Sequence, residues 1–490
     1  MFVNTDPVAW AEENFGESEL GDKRRQARLV RVAGDVARHA GSSLLKACEG
    51  DEAAVEGLYR LLRNEAVEAS AIAEGGFRAT VRRAAGCGEL LAVEDTTSLL
   101  YRHSVASELG ATTSNLKAVG QGFVVHSVVL LEQESGATVG LVEQRRWVRE
   151  ASEYGKSNAR THRAYEKKES FKWQRAGEAM RSRLGPALSA RTISVCDREA
   201  DVMEYLCWQQ SVGGRYVVRA AHDRRVAENG RHLWERLEAT APLGFHEVEV
   251  PQRGGRAARR ARLTLRAQPI ELSYPQRMKL KGGVRCQGLL AREEHPPEGV
   301  DALEWLLLTS EPATTREEAV AVLWRYSRRW RIEEFHKAWK SGTQVEGLRP
   351  RTAENLERGV VLLAFVAIRL LQLRELVYPQ RGPDGASPEP LLAAQSCEKI
   401  LTRTEWTVLY LAIHKKAPPT QAPSAQWAYR AIARLGGWMD TQRTGRGPAG
   451  KPCGTGCPVW QSAWTRICWP CSSTKIVINR QACAGMTTAQ

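Results

Sequence analysis

Residues 89–95 read ELLAVED, a run of Leu90-Leu91-Ala92-Val93 that closes on Glu94 and Asp95. A short apolar run ending in acids predicts a buried strand that emerges at a sheet edge and delivers Asp95 there. Working outward, Phe123–Glu132 and Ala137–Trp147 are two more β-rich runs, and Glu134-Ser135-Gly136 between them predicts a hairpin. The basic stretch Arg160–Trp173 leads into a helical pattern that reaches about Leu184. Arg191–Cys196 (RTISVC) is a further strand and ends in Asp197, followed by helix-like Ala200–Gln209 and strand-like Tyr216–Ala220. Strand, hairpin, helix, strand and helix in that order predict an α/β layer on a mixed sheet.

The flanks have other textures. Residues 1–70 read as helices, with Ala27, Leu29, Val30, Val32 and Ala33 forming an apolar seam beside Arg24, Arg25, Arg28 and Arg31. Those arginines suit either a solvated charged face or a DNA-contacting helix. Residues 71–221 and 304–375 form the two parts of the α/β core, and 222–303 interrupt it with short alternating runs, a β-rich basic insertion. Within it, Arg253–Arg266 holds six arginines and no acid. Trp305–Thr309 (WLLLT) returns to a buried strand; residues 315–340 and 354–377 are long helical patterns, and Pro379–Pro390 is a loop. Residues 376–443 read as a helical carboxy-terminal region, and 444–490 as an atypical tail.

At 490 residues, 43% hydrophobic and 26% charged, the chain has the make-up of a globular protein of about three domains. Lys and Arg number 70 against 56 Asp and Glu, a net +14, which predicts a polyanionic partner such as nucleic acid. The longest apolar stretch, Val360–Ile368, has nine residues, short of the about 20 that span a bilayer. With no basic-then-apolar opening segment either, the expectation is a cytoplasmic protein without a membrane partner. Six scattered cysteines, at 48, 87, 196, 207, 286 and 397, lack metal-ligand spacing and read as small buried hydrophobes.

Asp95 and Asp197 each end a strand, and Glu333 lies inside the helical stretch YSRRWRIEEFHKAWK, residues 326–340. Carboxylates gathered at one sheet edge repel unless a cation joins them, and Mg2+ shared with substrate phosphate resolves that repulsion. Two such ions about 4 Å apart clamp both oxygens of an in-line phosphoryl transfer. At about 100° per residue, Tyr326, Arg329, Glu333 and Lys340 fall within about 60° of arc on one helix face. Arg and Lys beside a metal carboxylate suit the phosphates flanking a scissile bond. Trp305, taken alone, reads as a core tryptophan in an apolar strand.

The chain resembles the bacterial cut-and-paste transposases with a DDE site and a Tyr-x2-Arg-x3-Glu-x6-Lys signature, the insertion-sequence family that includes the enzyme of transposon five. The stretches LGDKRRQARL, LLAVEDTTSLLYRH, CDREAD, RYVVR, WLLLTSEP, YSRRWRIEEFHKAWK, NLER and QWAYRAIARLGG carry the likeness, in the family's order over roughly residues 5–444. The resemblance implies an RNase H-like mixed-sheet core with a β-rich insertion, a helical amino-terminal DNA-binding domain and a helical carboxy-terminal dimerisation region. It implies that Asp95, Asp197 and Glu333 are the catalytic metal triad for Mg2+, with Mn2+ able to substitute. It places Tyr326, Arg329 and Lys340 around a flipped base and the end phosphates, Trp305 against that base, Arg219 near the hairpin, and Arg24, Arg25 and Arg28 on the terminal inverted repeat. The implied partners are double-stranded DNA, at the inverted repeats and the target, and a second copy in a synaptic homodimer. In the implied chemistry water cuts one strand, the freed 3′-hydroxyl attacks the opposite strand to form a hairpin, a second water opens it, and the end joins target DNA.

The likeness stops at Arg443-Thr-Gly. The last 50 residues hold no Asp or Glu, six Lys or Arg and five of the eleven cysteines. Cys453, Cys457, Cys468 and Cys471 have zinc-like spacing, a basic disordered tail is a second reading, and an out-of-frame terminus is the preferred one. Without the terminal pairing helix the chain becomes an impaired end-binding remnant or inhibitor; a structure-specific nuclease on the same core is a third reading.

Overall fold

The computed structural model describes residues 4–112, 121–149, 163–227, 230–250, 258–380, 390 and 392–435. Four helices open the chain: Pro7–Phe15 (α1), Lys23–Arg38 (α2), Leu44–Ala47 (α3) and Glu52–Arg63 (α4). Asp6, Asp22, Ser43 and Asp51 precede them and accept first-turn backbone N–H groups, so the sequence sets each start. The buried stripe of α2 is Leu29, Val32, Ala33, Val36 and Ala37. Ala27, expected in that seam, is exposed, because two residues before Leu29 is about 200° around the helix.

Ala69–Ala85 (α5) leads into the sheet. Its strands are Leu90–Tyr101 (β1), Gly110–Ala111 (β2), Gln121–Glu132 (β3), Thr138–Trp147 (β4), Thr192–Cys196 (β5), Arg215–Arg219 (β6), Gly244–Val250 (β7), Arg259–Ser273 (β8), Gly283–Arg292 (β9) and Glu304–Thr309 (β10). They form one mixed sheet in the order β2-β3-β1-β5-β6-β10-β9-β8-β7, with β4 also on β3. β5 runs parallel to β1 and β6, and the other pairings are antiparallel. The β3–β4 hairpin turns at Gly136, whose φ of +67° disfavours any residue with a side chain.

Lys172–Ala190 (α6), Met203–Ser211 (α7) and Leu233–Glu238 (α8) contribute to the apolar clusters of one sheet face. Regular helix in α6 stops at Leu184, since Gly185 has φ +68° and Pro186 follows. The other face packs on Arg316–Ser327 (α9), Trp330–Lys337 (α10), Ala353–Val377 (α11) and the amino-terminal helices. Arg403–His414 (α12) and Ala425–Leu435 (α13) form a smaller carboxy-terminal cluster.

The molecule is thus mixed α/β with an amino-terminal helical domain, and three expectations need correction. First, β1 does not stop at Asp95 but continues to Tyr101, because β3 pairs with it over its whole length while β5 leaves after Val195. Second, residues 315–340 are not one helix. Successive i to i+3 bonds, Arg328 N–H to Arg325, Arg329 to Tyr326 and Arg331 to Arg328, tighten the chain between α9 and α10. Third, the arginines of Arg253–Arg266 do not all lack acids, since β9 and the residues after it bring Glu293 to Arg259 and Glu294 to Arg266. The strands of 222–303 also belong to the main sheet, joined through β9 to β10.

Candidate active site and amino-terminal DNA-binding domain

The first two acids meet because of strand register. The parallel β1–β5 pairing runs from Leu90 opposite Thr192 to Val93 opposite Val195, and the same offset carried two residues further sets Asp95 opposite Asp197. There the strands part, and side-chain alternation turns both acids to the face of Val93 and Val195, where α10 lies. Burial, and then the Asp197 charge beside it, push the Asp95 carboxyl up to about 6. Asp197 is also raised, chiefly by burial. Each accepts a single local N–H, Thr96 to Asp95 at 2.7 Å and Glu199 to Asp197 at 2.8 Å.

Glu333 comes from the first turn of α10, and Arg329, at the head of the same helix, spans the gap. Its guanidinium lies 2.8 Å from Glu333 Oε1 and 3.5 Å from Asp95 Oδ2. Burial opposes the Arg329 charge, yet Tyr326, Glu333 and Asp95 together hold its pKa above the ordinary value. Among the described residues no group of three or more His, Cys, Asp or Glu is gathered closely enough to hold a metal ion. Asp95 and Asp197 are adjacent, while Glu333 reaches them through Arg329. Hard carboxylate oxygens whose mutual repulsion Arg329 relieves only in part are a donor set that fits Mg2+ or Mn2+.

Tyr326 is buried, with its ring 6.2 Å from that of the half-buried Trp305 and inclined at 62°. Lys340 lies in the single π-helical turn Ala338–Gly342, and burial lowers its pKa. The tight junction before Arg329 and the wide turn around Lys340 bend the helical face on which the four signature residues fall. Arg219, at the end of β6, donates to the Glu304 carbonyl at 3.1 Å, so it is seated one residue from Trp305.

Behind the site lie groups that the sequence reading missed. On the reverse face of β1, Glu94 is fully buried with His126 Nε2 at 3.4 Å, and Thr96 Oγ1 is 3.0 Å from His126 Nδ1. Burial raises Glu94 to about 8 and drives His126 well below its usual value, so burial disfavours charge on both groups. On the far side of α10, Glu334 pairs with Arg331 and, at 2.9 Å, with Arg374 of α11, while Arg331 also reaches Glu375 and Thr138. α11 is a clamp throughout: Arg358 donates to the Leu62 and Val67 carbonyls, Arg369 to those of Thr5 and Ala37, and Gln372 to those of Thr138 and Val139. The available signal was the polar side chains Arg369, Gln372 and Arg374 directly after the apolar run Val360–Ile368, and Arg358 just before it.

In the amino-terminal domain Arg24 is exposed and Arg25 and Arg28 are half-buried. Among the described residues none of the three has a carboxylate within ion-pair distance, and Arg25 donates to the Leu20 carbonyl at 3.1 Å. The basic half of α2 thus faces outward on a helix whose other side is locked into the core. Residues 7–67 match the family model described as transposase DNA-binding, a span that takes in α1 to α4. The amino-terminal segment is thus similar to a transposase DNA-binding domain, which supports DNA as a partner. No helix among the described residues is long and apolar enough to cross a membrane. The four zinc-spaced cysteines and the rest of the tail lie outside the described residues.

Proposed function

We propose that this chain is a DNA transposase of the DDE type, which cuts a mobile element at its inverted repeats through a DNA hairpin and joins it to target DNA as a synaptic dimer. The observation that carries the reading is the meeting of Asp95 and Asp197 at a parting of parallel strands, under a helix that presents Glu333, in a chain whose amino-terminal segment is similar to a transposase DNA-binding domain. The mixed sheet, antiparallel on one side of β1 and parallel on the other, supports reading the core as RNase H-like. A divalent cation, Mg2+ or Mn2+, would be held by the three carboxylates and would stabilise charge on the attacking and leaving oxygens of phosphoryl transfer.

The chain's own residues supply the rest. The basic face of α2, with Arg24, Arg25 and Arg28, binds the element end, and the buried arginines of α11 hold that domain against the core. Arg329 and Lys340 take phosphates beside the scissile bond, Arg219 binds near the hairpin, and Trp305 with Tyr326 forms an aromatic wall for an unstacked base. The test is cleavage of a labelled element-end duplex by the purified chain, with Mg2+ against EDTA and with Asp95→Ala. Nicks and hairpins that require Mg2+ and Asp95 are the expected result. A shifted band with no cleavage would replace this reading with the end-binding remnant that the acid-free terminus of the sequence favours.

A further inference from the structure

We propose that Arg329 occupies the cation position between Asp95 and Glu333, so that the phosphate of a DNA end and a divalent ion bind this site cooperatively. The inference rests on the reading of Asp95, Asp197 and Glu333 as metal-holding residues. One guanidinium reaches both Glu333 Oε1, at 2.8 Å, and Asp95 Oδ2, at 3.5 Å. These are two of the three carboxylates that an ion at this edge would share. Arginine cannot shed its proton to make way, because its pKa lies above 12 in proteins. An ion drawn to the same oxygens must therefore expel it.

Beyond the two carboxylates the Arg329 side chain, itself 13% exposed, lies near Tyr326 and Asp197, and its guanidinium carbon is 5.4 Å from the centre of the Trp330 ring, a residue that is 44% exposed. Arg329 belongs to the tightened turn between α9 and α10, where backbone bonds run i to i+3. What it needs elsewhere is an anion with paired oxygens, and a DNA phosphate offers two in the geometry that a guanidinium fork fits. A phosphate that draws Arg329 off the carboxylates opens them to the ion, and an ion that expels Arg329 releases it to the phosphate. By linkage each ligand strengthens the other by the same factor. The free protein then holds Arg329 where the ion would sit and loads metal at a bound DNA end.

The experiment is a Mn2+ titration of the full chain followed by electron paramagnetic resonance of the free ion, with and without a saturating blunt duplex copied from the element end. For the wild type, Mn2+ is expected to bind about 5- to 150-fold more tightly with the duplex, the usual span of coupling between two sites. Arg329→Ala and the shape-preserving Arg329→Gln are expected to bind Mn2+ tightly without duplex and to be insensitive to it. If both variants keep the wild-type affinity and the wild-type response to duplex, the proposal is overturned. Asp95→Ala separates the two levels: its loss of Mn2+ binding locates the ion at these carboxylates. Wild-type titration by Asp95→Ala would remove the metal reading itself, and this inference with it.

Discussion

On one side of α10 Glu333 stands more than a third exposed with Arg329 as its ion-pair partner; on the other, Glu334 is caught between Arg331 and Arg374 beneath α11. The two acids are neighbours in sequence and about 100° apart around the helix. Glu334 is held down to about 2: burial works against its charge, and Arg331 and Arg374 outweigh burial. What separates the two is the element each meets. Glu333 looks onto a sheet edge where carboxylates collect, and Glu334 onto a helix that brings cations. An acid whose cations are built in has a structural task, and one left in a cluster of acids is available for an ion and for chemistry.

The largest expected effect would break that division. Glu333→Gln should lower Mg2+-dependent end cleavage by at least about a hundredfold, the order seen when one group stabilising transition-state charge is removed. Its unfolding midpoint should stay near that of the wild type. Glu334→Gln should do the reverse to stability: it takes from Arg374 its carboxylate partner and leaves Arg331 with Glu375 alone, a loss of about 3–5 kcal/mol for a broken buried pair. Denaturant melts of both variants beside the cleavage assay decide it, and an unstable Glu333→Gln with an unaltered Glu334→Gln would invert the assignment.

Acid sharpens the same comparison. Because the folded pKa of Glu334 is depressed from 4.5 to about 2, its pairing stabilises the fold above pH 4.5 and is lost as pH falls toward 2. The stability gap between wild type and Glu334→Gln should therefore be full at pH 7 and shrink steadily below pH 4.5. A gap that stays constant from pH 7 to pH 3 would mean that the carboxylate is not the group that holds the arginines.

Much of the α/β layer and the meeting of its acids was legible in the sequence, because strand runs that close on acids report both burial and exit from a sheet. ELLAVED and RTISVC set Asp95 and Asp197 on β1 and just past β5, and the register between the strands joins them. Where β1 ends was not legible, since its second half is held by β3, about 20 to 30 residues further along the chain. Nor was the break between α9 and α10, because Arg328 and Arg329 keep helical dihedrals while their hydrogen bonds change. The distinction between Glu333 and Glu334 was legible only through the spacing to Tyr326, Arg329 and Lys340. The partner that ties down Glu334 from α11, Arg374, lies 40 residues further along the chain.

Arginines divide as the acids do, and here the expected effect is smallest. Arg259 is bound two-pronged to Glu293 and Arg266 to Glu294, so these cations are already matched within the protein. Arg24 and Arg28 on α2 have no such carboxylate among the described residues. A cation without an internal anion can replace counterions on DNA, and each phosphate contact contributes close to one unit to the slope of log affinity against log salt. Arg24→Ala and Arg28→Ala should each flatten that slope by about 1 and weaken binding evenly across sequences. Arg259→Ala should leave the slope unchanged and lower the unfolding midpoint, because Glu293 is buried and would lose its counterion. Salt titrations of duplex binding for the three variants measure this directly. A slope change on Arg259→Ala equal to that on Arg24→Ala would show that pairing in the free protein does not decide which arginines meet DNA, and would remove the ground for assigning the DNA face to α2 over β8.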